Sequence, residues 1–61
     1  MNNKYVEIDV ETVAETEFAV LFSDGDNKKW FPLSQIITCP EKGKTGTAVV
    51  TEWVATMKGW I

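Results

Sequence analysis

The sequence predicts a mainly β domain: a small curled antiparallel sheet or SH3-like barrel of four to five short strands, closed by a short C-terminal helix. Three observations carry this expectation. Val6, Ile8 and Val10 alternate strictly with Glu7, Asp9 and Glu11, the period of a half-buried strand. Asp24-Gly25 stands between two apolar runs, a strong hairpin signal. Near the end the period changes, with Trp53 and Met57 spaced i,i+4.

Taken in order, the first strand covers Tyr5 to Glu11, and residues 1–4 are expected to be disordered. The alternation lapses at Val13-Ala14, so Thr12 to Thr16 reads as a connection. Glu17 to Phe22 restores a strand with Phe18, Val20 and Phe22 on one face and Ala19 and Leu21 on the other. Being apolar on both faces, it is the expected central strand. Ser23 to Asn27 is dense in turn formers. The return arm, Lys28 to Phe31, must end or run along an edge at Pro32, which has no backbone N–H and a fixed φ. Leu33-Ser34-Gln35 reads as a helical turn and Ile36-Ile37-Thr38 as a short strand ended by Cys39-Pro40. Glu41 to Lys44 is a polar loop, and the β-branched run Thr45 to Thr51 is the last strand.

Residues 52–59 form the expected helix, with Thr51 as N-cap, Glu52 at its positive start, Lys58 at its finish and Gly59 as C′. Two turns are too few to persist alone in water, so the helix must dock on the sheet. Its expected apolar stripe is Trp53, Val54 and Met57, extended by Trp60 and Ile61. No repeat, low-complexity tract or linker divides the 61 residues, which make one domain.

Composition narrows the function. A chain this short buries only about 60 % of its unfolded surface. One cysteine, Cys39, allows no intrachain disulfide, and the absence of histidine excludes a zinc site of the usual Cys/His kind. No metal site and no cofactor are expected. Three Trp, three Phe and one Tyr supply the core instead. Nine acids against six bases give a net charge of −3, and every base is lysine. That disfavours duplex DNA as a partner, since its binding rests on cationic contacts to phosphates. No apolar run approaches the roughly 20 residues of a membrane span and the N-terminus lacks a signal-peptide core, so a cytoplasmic protein is expected.

Catalytic equipment is missing too. General acid–base work most often uses histidine, and a nucleophile needs a positioned base. Cys39 reads as a small buried hydrophobe and Ser34 as a local backbone hydrogen-bonder. Gly43-Lys44-Thr45 echoes the end of a phosphate-binding loop without its earlier glycine or following helix. Calcium binding by the acids of the first strand, or by Asp24 and Asp26, is a weak reading, because neither has a dense ligand loop. The chain reads as a non-enzyme.

Two constellations remain. The acids Glu7, Asp9 and Glu11 repeat at about 6.6 Å along one strand face and suit a basic partner. Trp30 and Phe31 are adjacent and cannot share a face. Trp30 is the expected core anchor under the closing helix, which leaves Phe31 as the exposed ring for a partner. The protein-binding set is therefore Glu7, Asp9, Glu11 and Phe31. The alternative is a single-stranded nucleic-acid site of Lys28, Lys29, Trp30, Phe31, Lys42 and Lys44. Self-association as a structural subunit is a third reading.

From Phe18 onward the order strand, acidic turn, Trp30-x-Pro32-x-Ser34-Gln35-Ile36, then Glu52-Trp53-Val54-Ala55…Lys58-Gly59-Trp60-Ile61 resembles small proteins encoded by bacteriophages and prophages. The resemblance implies a phage-type accessory protein in the host bacterial cytoplasm. With no catalytic residues to transfer, it implies action by binding a host or phage protein, for example a host replication or anti-phage defence factor.

Overall fold

A computed structural model describes residues 4–61. Five strands, β1 (Tyr5–Glu15), β2 (Ala19–Ser23), β3 (Lys28–Pro32), β4 (Ile36–Thr38) and β5 (Thr45–Thr51), make one antiparallel sheet in the order β3-β2-β1-β5-β4. A 3₁₀ turn, Leu33–Gln35, joins β3 to β4, and helix α1 (Glu52–Met57) follows β5 directly. The sheet does not close, since β3 and β4 are its two edges. Of the two architectures the sequence allows, the curled open sheet is the one formed.

The central strand is β1, not the Phe22-containing strand, and the reason is its length. β1 runs through residues expected to be a connection, because the lapse in alternation is a register shift between Thr12 and Ala14 rather than an end. An extra residue bends the strand and restores pairing beyond it. The two halves of β1 thus take different neighbours. Tyr5 to Glu11 pairs with β5, while Glu11 to Glu15 pairs with β2.

Thr12 fixes this bend and is fully buried. Its N–H donates to the Lys44 carbonyl at 3.1 Å, its carbonyl accepts from the Gly43 N–H at 2.7 Å, and its hydroxyl donates to the Pro40 carbonyl at 2.8 Å. A buried polar residue with every group satisfied stabilises rather than costs. β2 starts only at Ala19, because Thr16 captures the turn: its hydroxyl accepts from the Phe18 and Ala19 N–H groups at 3.2 and 3.1 Å. Phe18 sits at that turn's tip, 78 % exposed instead of facing the core.

The hairpin register settles the two adjacent rings. Ser23 pairs with Lys28, so Leu21 lies opposite Trp30 and Val20 opposite Phe31. Val20 faces the core and carries Phe31 inward with it, and Phe31 is fully buried while Trp30 is 44 % exposed. This reverses the expectation for both residues.

The core lies between one sheet face and α1. It comprises Ile8, Val10, Val20, Phe22, Phe31, Ala48, Val50, Val54 and Ala55, with Trp60 packed against it. Phe31 touches Phe22 and Trp60 at ring-centroid separations of 5.1 and 5.2 Å. As expected, the Thr51 hydroxyl caps α1, accepting from the Val54 N–H at 3.2 Å, and Gly59 takes a positive φ of 78° just past the helix. The docked stripe differs from expectation. Val54 and Ala55 face the sheet, whereas Trp53, Met57 and Ile61 are exposed. A helix entered directly from β5 has its facing set by the strand, and here that turns Trp53 outward. Lys4, expected to be disordered, accepts the Glu52 N–H at its carbonyl, and the rest of that stretch lies outside the described residues.

Candidate functional site

The face of the sheet opposite α1 is where the first strand shows its acids. Tyr5, Glu7, Asp9 and Glu11 project from it side by side and are all exposed. Their β5 neighbours on this face, in register, are Thr51, Val49, Thr47 and Thr45. None of these carries a cation. The Thr47 hydroxyl donates to Asp9 Oδ1 at 3.2 Å. Among the described residues the one ion pair is Lys44 with Glu41, at 3.9 Å on the surface. Glu7, Asp9 and Glu11 are therefore not neutralised by an ion pair with any described residue.

At the Tyr5 end the acidic row meets an open groove of about 790 Å³ between β4 and α1. Tyr5, Ile37, Trp53 and Met57 line it, each about half exposed or more. Solvent-facing aromatic and Met side chains gathered in one place mark contact surfaces more often than isolated ones do. Trp53 and Met57, two residues of the helix stripe expected to plug the sheet, thus border this groove instead.

A second groove, about 430 Å³, runs beside the other margin of β1. Glu7 to Val10 form one wall, the β2–β3 turn at Asp24 and Asn27 closes one end, and Trp60 contributes an apolar ring. Trp60 Nε1 is shielded from solvent and has no hydrogen-bond acceptor among the described residues. Asp24 is engaged locally: its Oδ1 accepts from the Asp26 and Asn27 N–H groups at 3.0 and 2.8 Å. Those bonds, chiefly the one from Asn27, hold its carboxyl below the usual aspartate range.

The residues predicted to bind protein are brought together only in part. Glu7, Asp9 and Glu11 form one row, but Phe31 lies in the core and is inaccessible to a partner. Tyr5, not Phe31, is the exposed ring beside that row. Its signal was present in the alternation itself, since it shares the parity of the three acids.

The nucleic-acid set is dispersed. Phe31 is buried, and Lys29 faces α1, where its Nζ donates to the Lys58 carbonyl. Lys28 and Thr45 stand in one cross-strand row with Ser23 and Glu11 between them. Three inter-strand spacings, roughly 14 Å, thus separate Lys28 from Thr45, the residue after Lys44, with a carboxylate in the path. Trp30 is exposed next to Leu21 on the acidic face. Lys42 and Lys44 lie in the β4–β5 loop, and Thr45 begins a strand rather than a phosphate-binding helix.

Cys39 is partly buried against the core, and burial, then the Glu15 charge, pushes its thiol up from the ordinary value. A protonated thiol is a poor nucleophile. No helix among the described residues is long and apolar enough to cross a membrane. The chain matches no family model, no curated protein and no solved structure.

Proposed function

We propose that this is a non-enzymatic accessory protein that works by binding another protein through the outward face of β1. The observation that carries the reading is the row Tyr5, Glu7, Asp9, Glu11, unpaired with any cation among the described residues and continuous at its Tyr5 end with the groove of Trp53, Met57 and Ile37. Trp and Tyr at the centre of such a patch supply most of the energy of an interface, while surrounding charges set orientation and partner choice. The acids select a basic surface. The likeness to small phage and prophage proteins supports a host or phage protein as the partner, met in the host cytoplasm. Protein binding fits the arrangement better than nucleic-acid binding, because the lysines that would follow a phosphate backbone are dispersed and Glu11 lies among them.

The test is capture of a partner from bacterial lysate, followed by reconstitution with that partner purified. Glu7→Lys, Asp9→Lys and Glu11→Lys together should abolish the reconstituted complex, and Trp53→Ala should weaken it, with circular dichroism unchanged in both. A complex that survives triple charge reversal in a folded protein would refute this reading.

A further inference from the structure

Two of the acidic residues of β1, Glu7 and Asp9, are also residues whose backbone is left open on the β2 side. β2 pairs with β1 only from Glu11 onward, and β2 ends at Ser23, so among the described residues the β2-side margin of Tyr5 to Val10 has no strand beside it. The direction of each peptide group on that margin follows from Thr12. Its N–H and carbonyl both engage Lys44 and Gly43, at the β5 side of the sheet. Backbone groups alternate sides along a strand. Val6, Ile8 and Val10 therefore direct theirs toward β5, while Glu7, Asp9 and Glu11 direct theirs toward β2. Glu11 meets Ser23 there. Glu7 and Asp9 meet the 430 Å³ groove, and no backbone hydrogen bond from the β2–β3 turn or from Gly59 to Ile61 reaches either of them among the described residues.

We infer that this groove is a strand-addition site: an extended segment of a partner protein pairs with β1 at Glu7 and Asp9 and completes the row that β2 leaves short. The inference rests on the protein-binding reading above and specifies its mode. The occupant's chemistry follows from alternation. Its residues on the outer face lie beside the Glu7 and Asp9 carboxylates, which form no ion pair among the described residues, so these are Lys or Arg. Its residues on the inner face lie beside Ile8, Val10 and the ring of Trp60, so these are aliphatic. The margin from Tyr5 to the Glu11–Ser23 pair spans roughly 20 Å at 3.3 Å per residue, room for a segment of about five residues. Main-chain bonds supply affinity in such additions, and the alternating side chains supply specificity. A second copy of this chain presenting the same margin would bring Glu and Asp against Glu and Asp, which is repulsive. Charge complementarity therefore selects a basic, alternating segment of a different protein.

The experiment uses the intact protein and three capped synthetic peptides: Lys-Val-Lys-Val-Lys, the same peptide N-methylated at alternate residues in each of the two phases, and Glu-Val-Glu-Val-Glu. Amide hydrogen exchange by NMR is the readout. With the first peptide at ten times its Kd, the Glu7 and Asp9 amides should exchange about tenfold more slowly. One N-methylated phase should abolish the effect and the other preserve it, and the acidic peptide should have none. Binding that leaves both amides unprotected overturns strand addition, as does equal binding of both N-methylated phases. Protection that appears with rising protein concentration and no peptide assigns the margin to a second copy and overturns the basic partner. The two readings fail separately. If the reconstituted complex depends on the β1 acids yet leaves the Glu7 and Asp9 amides exchanging freely, strand addition is wrong and protein binding stands. If the complex ignores charge reversal, the parent reading itself is refuted.

Discussion

Replacing Phe31 by leucine and Trp30 by alanine probes the two faces of one strand at neighbouring positions. Phe31 is fully buried and packs on Phe22 at 5.1 Å and on Trp60 at 5.2 Å. Each such aromatic pair is worth about 0.5–1.5 kcal/mol beyond its buried area, so losing both costs about 1–3 kcal/mol before any cavity forms. Alanine at position 31 would add the transfer and cavity terms, about 3–5 kcal/mol in all. That equals the roughly 3–5 kcal/mol a core of this size supplies, so leucine is the informative change. Trp30 is 44 % exposed and faces Leu21 across the strand pair. Truncating it removes one cross-strand contact, about 0.2–1 kcal/mol.

Urea unfolding followed by far-ultraviolet circular dichroism measures both. Phe31→Leu should lower the midpoint well beyond Trp30→Ala, with the slope unchanged in each, as a loss of native contacts requires. Equal losses, or a larger loss for Trp30→Ala, would refute the hairpin register that pairs Val20 with Phe31. The inner face would then carry Trp30, and the location of the core would have to be redrawn.

Thr51 both caps α1 and donates to Gln35 Oε1 at 2.7 Å. Thr51→Ala should cost about 2 kcal/mol, one for the cap and one for the hydrogen bond, and lower Tm by roughly 8–16 °C. Thr51→Ser should recover most of it; a neutral Thr51→Ala would show that neither bond matters. The Asp24 carboxyl is held low by the Asn27 and Asp26 N–H groups. Its stabilising effect is present above the unfolded aspartate value and is lost as pH falls through its lower folded value. An NMR titration should place its midpoint below that of aspartate in an unfolded peptide, and Asp24→Asn should remove that part of the acid dependence. For Cys39, burial and Glu15 raise the thiol value, so its contribution is full below the unfolded thiol value and declines as pH rises through the folded one. Iodoacetamide should alkylate the native protein more slowly than the urea-unfolded chain at the same mildly alkaline pH, and equal rates would refute the shift.

Most elements were legible in the sequence because local signals agreed with the fold. Pro32 ends β3, Asp24 to Asn27 makes the turn, and Thr51 to Gly59 carries its own start and stop. The failures share a cause, which is that facing depends on register. The Thr12–Ala14 irregularity disguised the second half of β1, and with it the identity of the central strand. Trp30 and Phe31 are indistinguishable by type, and only the Ser23–Lys28 pairing tells them apart. Counting outward from that turn would have placed Phe31 opposite Val20. The acids of the candidate site were legible from alternation alone. The groove beside them was not, because it arises where β2 stops short of β1, a length mismatch between strands that no local pattern records.

That mismatch bears on how the sheet manages its margins. An unpaired strand edge invites further pairing, and proteins blunt it with brevity, proline or charge. β4 is three residues long with a register shift against β5. β3 begins with Lys28 and ends at Pro32. The open half of β1 is neither short nor interrupted, and the charges that guard it among the described residues are Glu7 and Asp9. Carboxylates differ from proline or a shortened strand in what they exclude. Proline removes a donor and stops every incomer, whereas an acidic pair repels a copy of itself and attracts a cation. Under the strand-addition proposal, the residues that would repel a second copy at this margin leave it open to a strand carrying the opposite charge. Glu7→Lys with Asp9→Lys separates the two roles. It should abolish protection by the basic peptide while preserving the barrier to self-pairing, because like charges still face one another across the two copies.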